Sequence, residues 1–271
     1  MNIGIVGLGL IGGSFAKAIK KFTDHRVYAT TRTAATVSKA ISEGAVDKEL
    51  TKDNIGECSL IILCLYPELT VKWVQENACF IGKDTLVTDT CGVKRYVCDA
   101  INPIAEEYGF RFIGGHPMAG KELSGYDASV AELYCGASMI LTCEKIPPIW
   151  QELSHALGFA MVKCTTPEDH DKMIAFTSQL AHVVSGAYIK SPSSLEHKGF
   201  SAGSFKDLTR VAYLNENMWT ELFLENRDYL AWEVGNIIKE LQRYKDALDS
   251  NNETELKEIL KEGKEMKVKS L

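Results

Sequence analysis

Gly7, Leu8, Gly9, Leu10, Ile11 and Gly12 follow one another between an apolar pentad at residues 2–6 and a helix-like run at residues 14–21. Residues 2–6 read as a short buried strand. A G-x-G-x-x-G that leaves a strand and opens a helix is the turn on which doubly wound α/β proteins hold a dinucleotide. Gly7 suits the tight turn, Gly9 lets a pyrophosphate approach the backbone, and Gly12 lets helix and strand pack closely. The anion then sits on the helix N-terminus, where amide groups have no intrahelical acceptor. The alternative for these glycines is a purely structural turn.

The second strand is expected at residues 26–30. It ends in Thr31, Arg32 and Thr33, where a carboxylate would otherwise bind the ribose hydroxyls of NAD. No acid is there to repel a 2′-phosphate, and Arg32 between two hydroxyls can bind one. Hydrogen bonds to charged groups contribute about 1.5–3 kcal/mol. The expected cofactor is therefore NADP, with NAD as the alternative.

The alternation of strands and helices continues. Residues 59–65 form an uninterrupted apolar run of the kind found in a parallel strand buried on both faces. Leu65, Tyr66 and Pro67 close it, Pro67 suiting the first turn of a helix. Strands are further expected at 85–89, 111–114, 137–142 and 160–164. The pattern predicts an α/β fold: an N-terminal Rossmann-like, doubly wound, mostly parallel sheet. The loops at 7–12, 31–33, 65–67, 89–94 and 115–125 should meet at the carboxyl ends of its strands, with Asp89 among the cofactor-facing residues. His116 lies in the last of these loops, between Gly114-Gly115 and Pro117. Its ordinary pKa lies close to neutral pH, so it is a candidate proton acceptor; the bland alternative is a histidine capping loop backbone.

Beyond Cys164 strand signals stop. Thr165-Thr-Pro-Glu168 is a capping box opening a helix expected to reach residue 190. One face of it is apolar; the other is small and polar around His182, suited either to close helix packing or to lining a site. Lys206 and Arg210 are placed to share a helical face, with Asp207 and Asp228 able to hold the arginine. Such a pair suits a dianionic ligand, Arg210 gripping a carboxylate, or else is an exposed basic turn. A second long helix is expected over residues 218–248. Its apolar positions (Phe223, Leu230, Val234, Ile237, Leu241, Tyr244, Leu248) form a seam that is either core or a contact between helices of two chains. Residues 253–267 give a last, charge-rich helix. The expected division is a dinucleotide-binding domain at 1–165 and an all-α substrate-binding and dimerisation domain at 166–271.

Composition narrows the partners. A net charge of −6 with no dense basic block argues against nucleic acid and anionic membrane. The longest apolar run is too short to span a bilayer, and Met1 runs straight into a strand pattern without the features of a signal peptide. Eight cysteines without a C-x-x-C pair read as reduced, mostly buried thiols. The expectation is a soluble cytoplasmic protein.

Taken together, residues 7–12, 88–94, 114–125, 178–182 and 205–219 resemble, in order, the motifs of the prephenate/arogenate dehydrogenase family of tyrosine biosynthesis. The Gly-His-Pro-Met-Ala-Gly-x-Glu-x-Ser-Gly and Lys-Asp-x-Thr-Arg segments are the specific ones. The resemblance implies an NAD(P)-dependent enzyme that oxidatively decarboxylates prephenate, or arogenate, as a homodimer formed through its C-terminal helices. It implies that His116 accepts the proton or hydrogen bond of the substrate's ring hydroxyl, and that His182 and Arg210 bind substrate. Glu122, Lys206, Asp207 and Trp219 would surround and gate the pocket. No metal is expected. The chain departs from the family at Asp89-Thr-Cys-Gly-Val-Lys94, where members often carry serine in the place of Gly92; Thr90 or a water is expected to supply the missing hydrogen bond. A lysine-dependent 3-hydroxyacid dehydrogenase would want a lysine on the 173–189 helix, which has none. A non-catalytic dinucleotide sensor would have no use for His116, His182 and Arg210 together, and a structural dimer with a degenerate site has only Gly92 in its support.

Overall fold

The computed structural model describes residues 1–121 and 123–270. Six parallel strands form the main sheet: β1 (Asn2–Val6), β2 (Arg26–Thr30), β3 (Lys48–Glu49), β4 (Leu60–Leu63), β5 (Leu86–Asp89) and β6 (Arg111–Ile113), in the order β3-β2-β1-β4-β5-β6. The order reverses between β1 and β4, and a crevice at such a point takes the ligand in open α/β sheets.

Helices α1 (Leu10–Phe22), α2 (Ala34–Ser42), α3 (Pro67–Asn77) and α4 (Arg95–Tyr108) connect the strands. Alternate residues of the central strands β1 and β4 enter different cores, as the two-residue strand period requires. Ile3, Ile5, Leu60 and Ile62 pack with Phe15 and Ile19 of α1, whereas Val6, Ile61 and Leu63 pack with Val74 of α3 and Val97 and Ile101 of α4. Every residue of β4 is buried, as its unbroken apolar run requires.

The remaining strands correct the expectation of one sheet. β7 (Gly115–Pro117), β8 (Ser138–Leu141) and β9 (Met161–Cys164) form a separate three-stranded sheet, β7 antiparallel to β8 and β8 parallel to β9. His116 thus sits within a strand, opposite Ile140, and not in a free loop. Between β8 and β9 runs α5 (Pro148–Ala156), whose fully buried Trp150 donates to the Thr88 hydroxyl of β5 at 3.0 Å.

The helical part also differs from expectation. The run expected from residue 165 to 190 is divided into α6 (Pro167–Ile174), a π-helical stretch (Ala175–Gln179) and α7 (Leu180–Tyr188). After α8 (Gly203–Thr209), the helix expected over 218–248 is broken into α9 (Glu216–Glu225) and α10 (Arg227–Asp249). The break is at Asn226, whose side chain is fully buried and bonded to Arg95 and to the Asp171 carbonyl. These bonds compete with helix continuation, the usual behaviour of asparagine. The chain ends in α11 (Glu253–Lys269).

Two compact units result: Met1–Ile174 with Tyr213–Asn226, and Ala175–Ala212 with Arg227–Leu271. In the second, Leu230 is buried, but Trp232, Ile238, Leu241 and Leu248 of α10 are exposed. The cysteines form no disulfides; Cys58, Cys91 and Cys98 are buried, Cys64, Cys143 and Cys164 half-buried, and Cys79 and Cys135 exposed, fewer inside than the expectation of mostly buried thiols. No helix among the described residues is long and apolar enough to cross a membrane.

Candidate active site

At the sheet's switch point the backbone is shaped for an anion. Gly7 has φ +95 and donates its amide to Thr30 at 2.8 Å; a Cβ there would stand 2.4 Å from the Cys64 carbonyl oxygen. A Cβ on Gly12 would come within 1.8 Å of the Gly7 carbonyl oxygen, so neither position accepts a side chain. Around Gly9 a Cβ would meet nothing within 4 Å, which leaves open space in front of the first turn of α1. That turn (Leu10, Ile11, Gly12) carries no acidic residue. Its amides and the open face at Gly9 together fit a pyrophosphate. Leu65, Tyr66 and Pro67 border the same edge from the end of β4, Tyr66 being exposed at the N-cap of α3. Thr31, Arg32 and Thr33 follow β2, with Arg32 and Thr33 exposed.

Asp89 is placed otherwise than expected. Its carboxylate is fully buried: Oδ1 accepts the Gly115 amide at 3.0 Å, and Oδ2 accepts the Cys91 amide at 2.8 Å and the Lys94 ammonium. With both oxygens committed inside the protein, its side chain ties the end of β5 to the strand carrying His116 and does not face a cofactor. Lys94 is fully buried as well. Burial, the largest influence, would lower its pKa, but the adjoining Asp89 carboxylate together with Cys91 and Cys98 holds it above the usual lysine value.

His116 is held from one side by residues that spacing did not single out. Its Nδ1 lies 2.9 Å from Nε2 of His170, a buried residue of α6. Nδ1 of His170 lies 2.7 Å from Oδ1 of Asp171. Asp171 is fully buried at the N-terminus of α4, where its oxygens accept the amides of Lys94 at 2.7 Å and Arg95 at 2.9 Å. Asn226 Nδ2 donates to the Asp171 carbonyl at 2.9 Å. The only sequence signal for this group was a histidine between two acids, Asp169-His170-Asp171, in the first turns of an expected helix; helix numbering alone does not say which neighbour those side chains meet.

Burial, with His170 and Lys94 nearby, pushes the His116 pKa well below 6.5. Burial likewise lowers His170, partly offset by Asp171. In the second unit burial and the Arg210 charge lower His182. In each case the folded state disfavours the imidazolium, so stability is full above about pH 6.5 and lost as pH falls through the depressed folded values. Unfolding free energy is therefore expected to decline from about pH 6.5 downward; urea melts across pH 4.5–8 measure it, and a flat dependence would contradict these environments.

The other expected residues fall as follows. Thr90 donates its hydroxyl to the Leu63 carbonyl at 3.2 Å, so its proton is used within the sheet edge. A Cβ on Gly92 would meet only Leu222, at 3.4 and 3.6 Å, which is ordinary contact. Gly92→Ser is thus expected to fold normally and to gain up to about 0.4–1 kcal/mol from reduced unfolded-chain entropy; a loss above about 1 kcal/mol in thermal or urea melts would contradict this. Trp219 on α9 is partly buried against Phe223, ring centroids 5.3 Å apart. In the second unit His182 Nδ1 is 2.9 Å from the Val211 carbonyl oxygen, which makes it the donor nitrogen. Arg210 follows α8 directly and is exposed, as are Lys206 and Asp207. Glu122 lies outside the described residues. No group of three or more His, Cys, Asp or Glu among the described residues could hold a metal ion.

The sheet order and the glycine turn at its switch point define a dinucleotide-binding α/β protein. A family model described as "Prephenate dehydrogenase, nucleotide-binding domain" matches residues 15–152, and one described as "Prephenate dehydrogenase, dimerization domain" matches residues 166–262. The chain belongs to the prephenate/arogenate dehydrogenase family. Prephenate dehydrogenase of Lactococcus lactis is 30% identical over 97% of this chain and 75% of its own length. The crystal structure of prephenate dehydrogenase from Aquifex aeolicus with hydroxyphenyl propionate and NAD+ is 29% identical, with a TM-score of 0.84 over 100% of this chain and 98% of that one. Synechocystis arogenate dehydrogenase is 26% identical, with a TM-score of 0.83 over 100% of both chains.

Proposed function

We propose that this protein oxidatively decarboxylates prephenate to 4-hydroxyphenylpyruvate, with His116 as the proton acceptor. The observation that carries the reading is the His116 environment: a neutral imidazole, fixed through Nδ1, on a strand tied by Asp89 to the edge where the glycine turn lies. Family membership supports the reaction class. When bound, the oxidised nicotinamide accepts the hydride released from the ring carbon. His116 Nε2 takes the proton of the ring hydroxyl as the carbonyl forms. The bond to the ring carboxylate then breaks as carbon dioxide, its electron pair aromatises the ring to a phenolate, and the phenolate oxygen takes the proton back from His116 Nε2. Positioning and one base are enough for this chemistry.

Arg210 and His182 are assigned to substrate binding, the arginine through a carboxylate. Lys206, Asp207, Trp219, Glu122, Thr90 and Gly92 are assigned to the surroundings of the pocket, and residues 166–271 to substrate binding and dimerisation. Exposed apolar side chains on α10, Trp232, Ile238, Leu241 and Leu248, support a homodimer through the C-terminal helices. NADP is the proposed cofactor, because β2 is followed by Thr31, Arg32 and Thr33 with no carboxylate; NAD, present in the Aquifex structure, is the alternative. Arogenate is the alternative substrate, on the likeness to the Synechocystis enzyme.

Initial rates with prephenate and with arogenate, each with NAD and NADP, test all of this at once. Fast turnover of prephenate with NADP is expected. Turnover with NAD alone would remove the assignment of Arg32, and turnover of arogenate alone would reassign the substrate. The pH dependence of kcat/KM should stay level through pH 6.5 and fall only below it, because the His116 pKa lies below that value. An acid limb at or above 6.5 would contradict His116 as the base.

A further inference from the structure

We propose that His170 is a positioning residue that, anchored by Asp171, fixes His116 in the tautomer whose Nε2 accepts the substrate proton. The inference rests on the role proposed for His116 and adds residues that role did not include.

An aspartate carboxylate only accepts hydrogen bonds, and that of Asp171 accepts two backbone amides at the start of α4. His170 Nδ1, 2.7 Å from Asp171 Oδ1, must therefore be the N–H of its ring. A neutral imidazole carries one proton, so His170 Nε2 is left as an acceptor. That nitrogen lies 2.9 Å from His116 Nδ1, which must donate to it. His116 Nε2 is then a bare lone pair. Each step is forced by the one before, and the chain starts from a buried carboxylate on a helix N-terminus that cannot rotate away from its two amides.

The consequence for the reaction is specific. As the substrate's O–H bond breaks, an N–H bond forms at His116 Nε2 and the ring becomes an imidazolium. Its Nδ1–H remains donated to His170, which is already polarised toward Asp171. No second proton has to move and no rotation of His116 is required. In the Ser-His-Asp triad a carboxylate acting directly on the histidine performs the same selection, and losing it leaves the wrong tautomer. Here one imidazole is interposed between carboxylate and base.

The test uses the full-length protein, uniformly labelled with 15N, and the variants His170→Ala and His170→Gln. Imidazole 15N spectra at neutral pH report which nitrogen of His116 carries hydrogen, assigned by loss of the signal in His116→Ala. The expected wild-type result is protonated Nδ1 and bare Nε2. His170→Ala should shift His116 toward the Nε2–H form and lower kcat roughly 100-fold, with KM within about threefold. His170→Gln keeps an acceptor oxygen near the former Nε2; it should retain the Nδ1–H form and recover most of kcat. A wild-type His116 protonated on Nε2 would overturn the proposal, even if His170→Ala does not fold. So would a folded His170→Ala protein that keeps both its tautomer and its kcat. If the wild type oxidises neither substrate, the function assigned above fails, while the spectra still decide the tautomer.

Discussion

His116→Ala is expected to lower kcat by roughly 10²–10⁴-fold, the usual contribution of a positioned general base, while leaving the dissociation constant for the dinucleotide within about twofold. The separation follows from the geometry. The glycine turn at Gly7, Gly9 and Gly12 is built by contacts among β1, β2, α1 and the residues that follow β4, and none of these contacts involves His116. The variant should also lose the acid limb that His116 produces in the wild-type pH profile. Steady-state kinetics with a separate binding titration checks this. A fall in dinucleotide affinity matching the fall in rate would mean that His116 holds the cofactor side of the crevice together and is not the base.

Lys94→Met is expected to destabilise the fold by about 3–5 kcal/mol, the cost of leaving one buried charge without its partner. Asp89 and Lys94 are both fully buried and bonded to each other. Removing the ammonium leaves the carboxylate with only two amides, from Cys91 and Gly115, in a site sealed from water. The pair also fixes Gly115 beside β5, so activity should fall with stability. The double variant Asp89→Asn/Lys94→Met removes both charges and should regain part of the loss, since a neutral amide is far less costly to bury. Urea melts of the single and double variants measure the cycle. A single variant within about 1 kcal/mol of wild type would show that water reaches Asp89.

How far the sequence carried the reading can be traced residue by residue. The doubly wound sheet was legible because its signals are local: a continuous apolar strand such as β4, and a glycine turn whose positions each have a steric reason. His116 was legible because glycines and a proline bracket it. That it lies on β7, opposite Ile140, was not legible, since a three-residue strand in a second sheet has no periodicity of its own. The long helices were overestimated for a similar reason. Their apolar spacing continues through Asn226 and through the π-helical stretch at Ala175–Gln179, and the break at Asn226 comes from its tertiary bonds with Arg95 and Asp171. Asp89 appeared cofactor-facing because of where β5 ends, but its partner Lys94 lies across a loop, and only the fold brings the ammonium back. His170 and Asp171 were missed altogether, since their meaning depends on α6 meeting the start of α4 and the back of His116.

The most direct test of the central assignment is the product balance of the wild-type protein with prephenate and NADP. The prediction is one reduced nicotinamide, one carbon dioxide and one 4-hydroxyphenylpyruvate formed per prephenate consumed, at a rate that His116→Ala suppresses by at least about 100-fold. Prephenate left unconsumed by a protein that binds the dinucleotide normally, or consumed equally fast by the His116 variant, would contradict it.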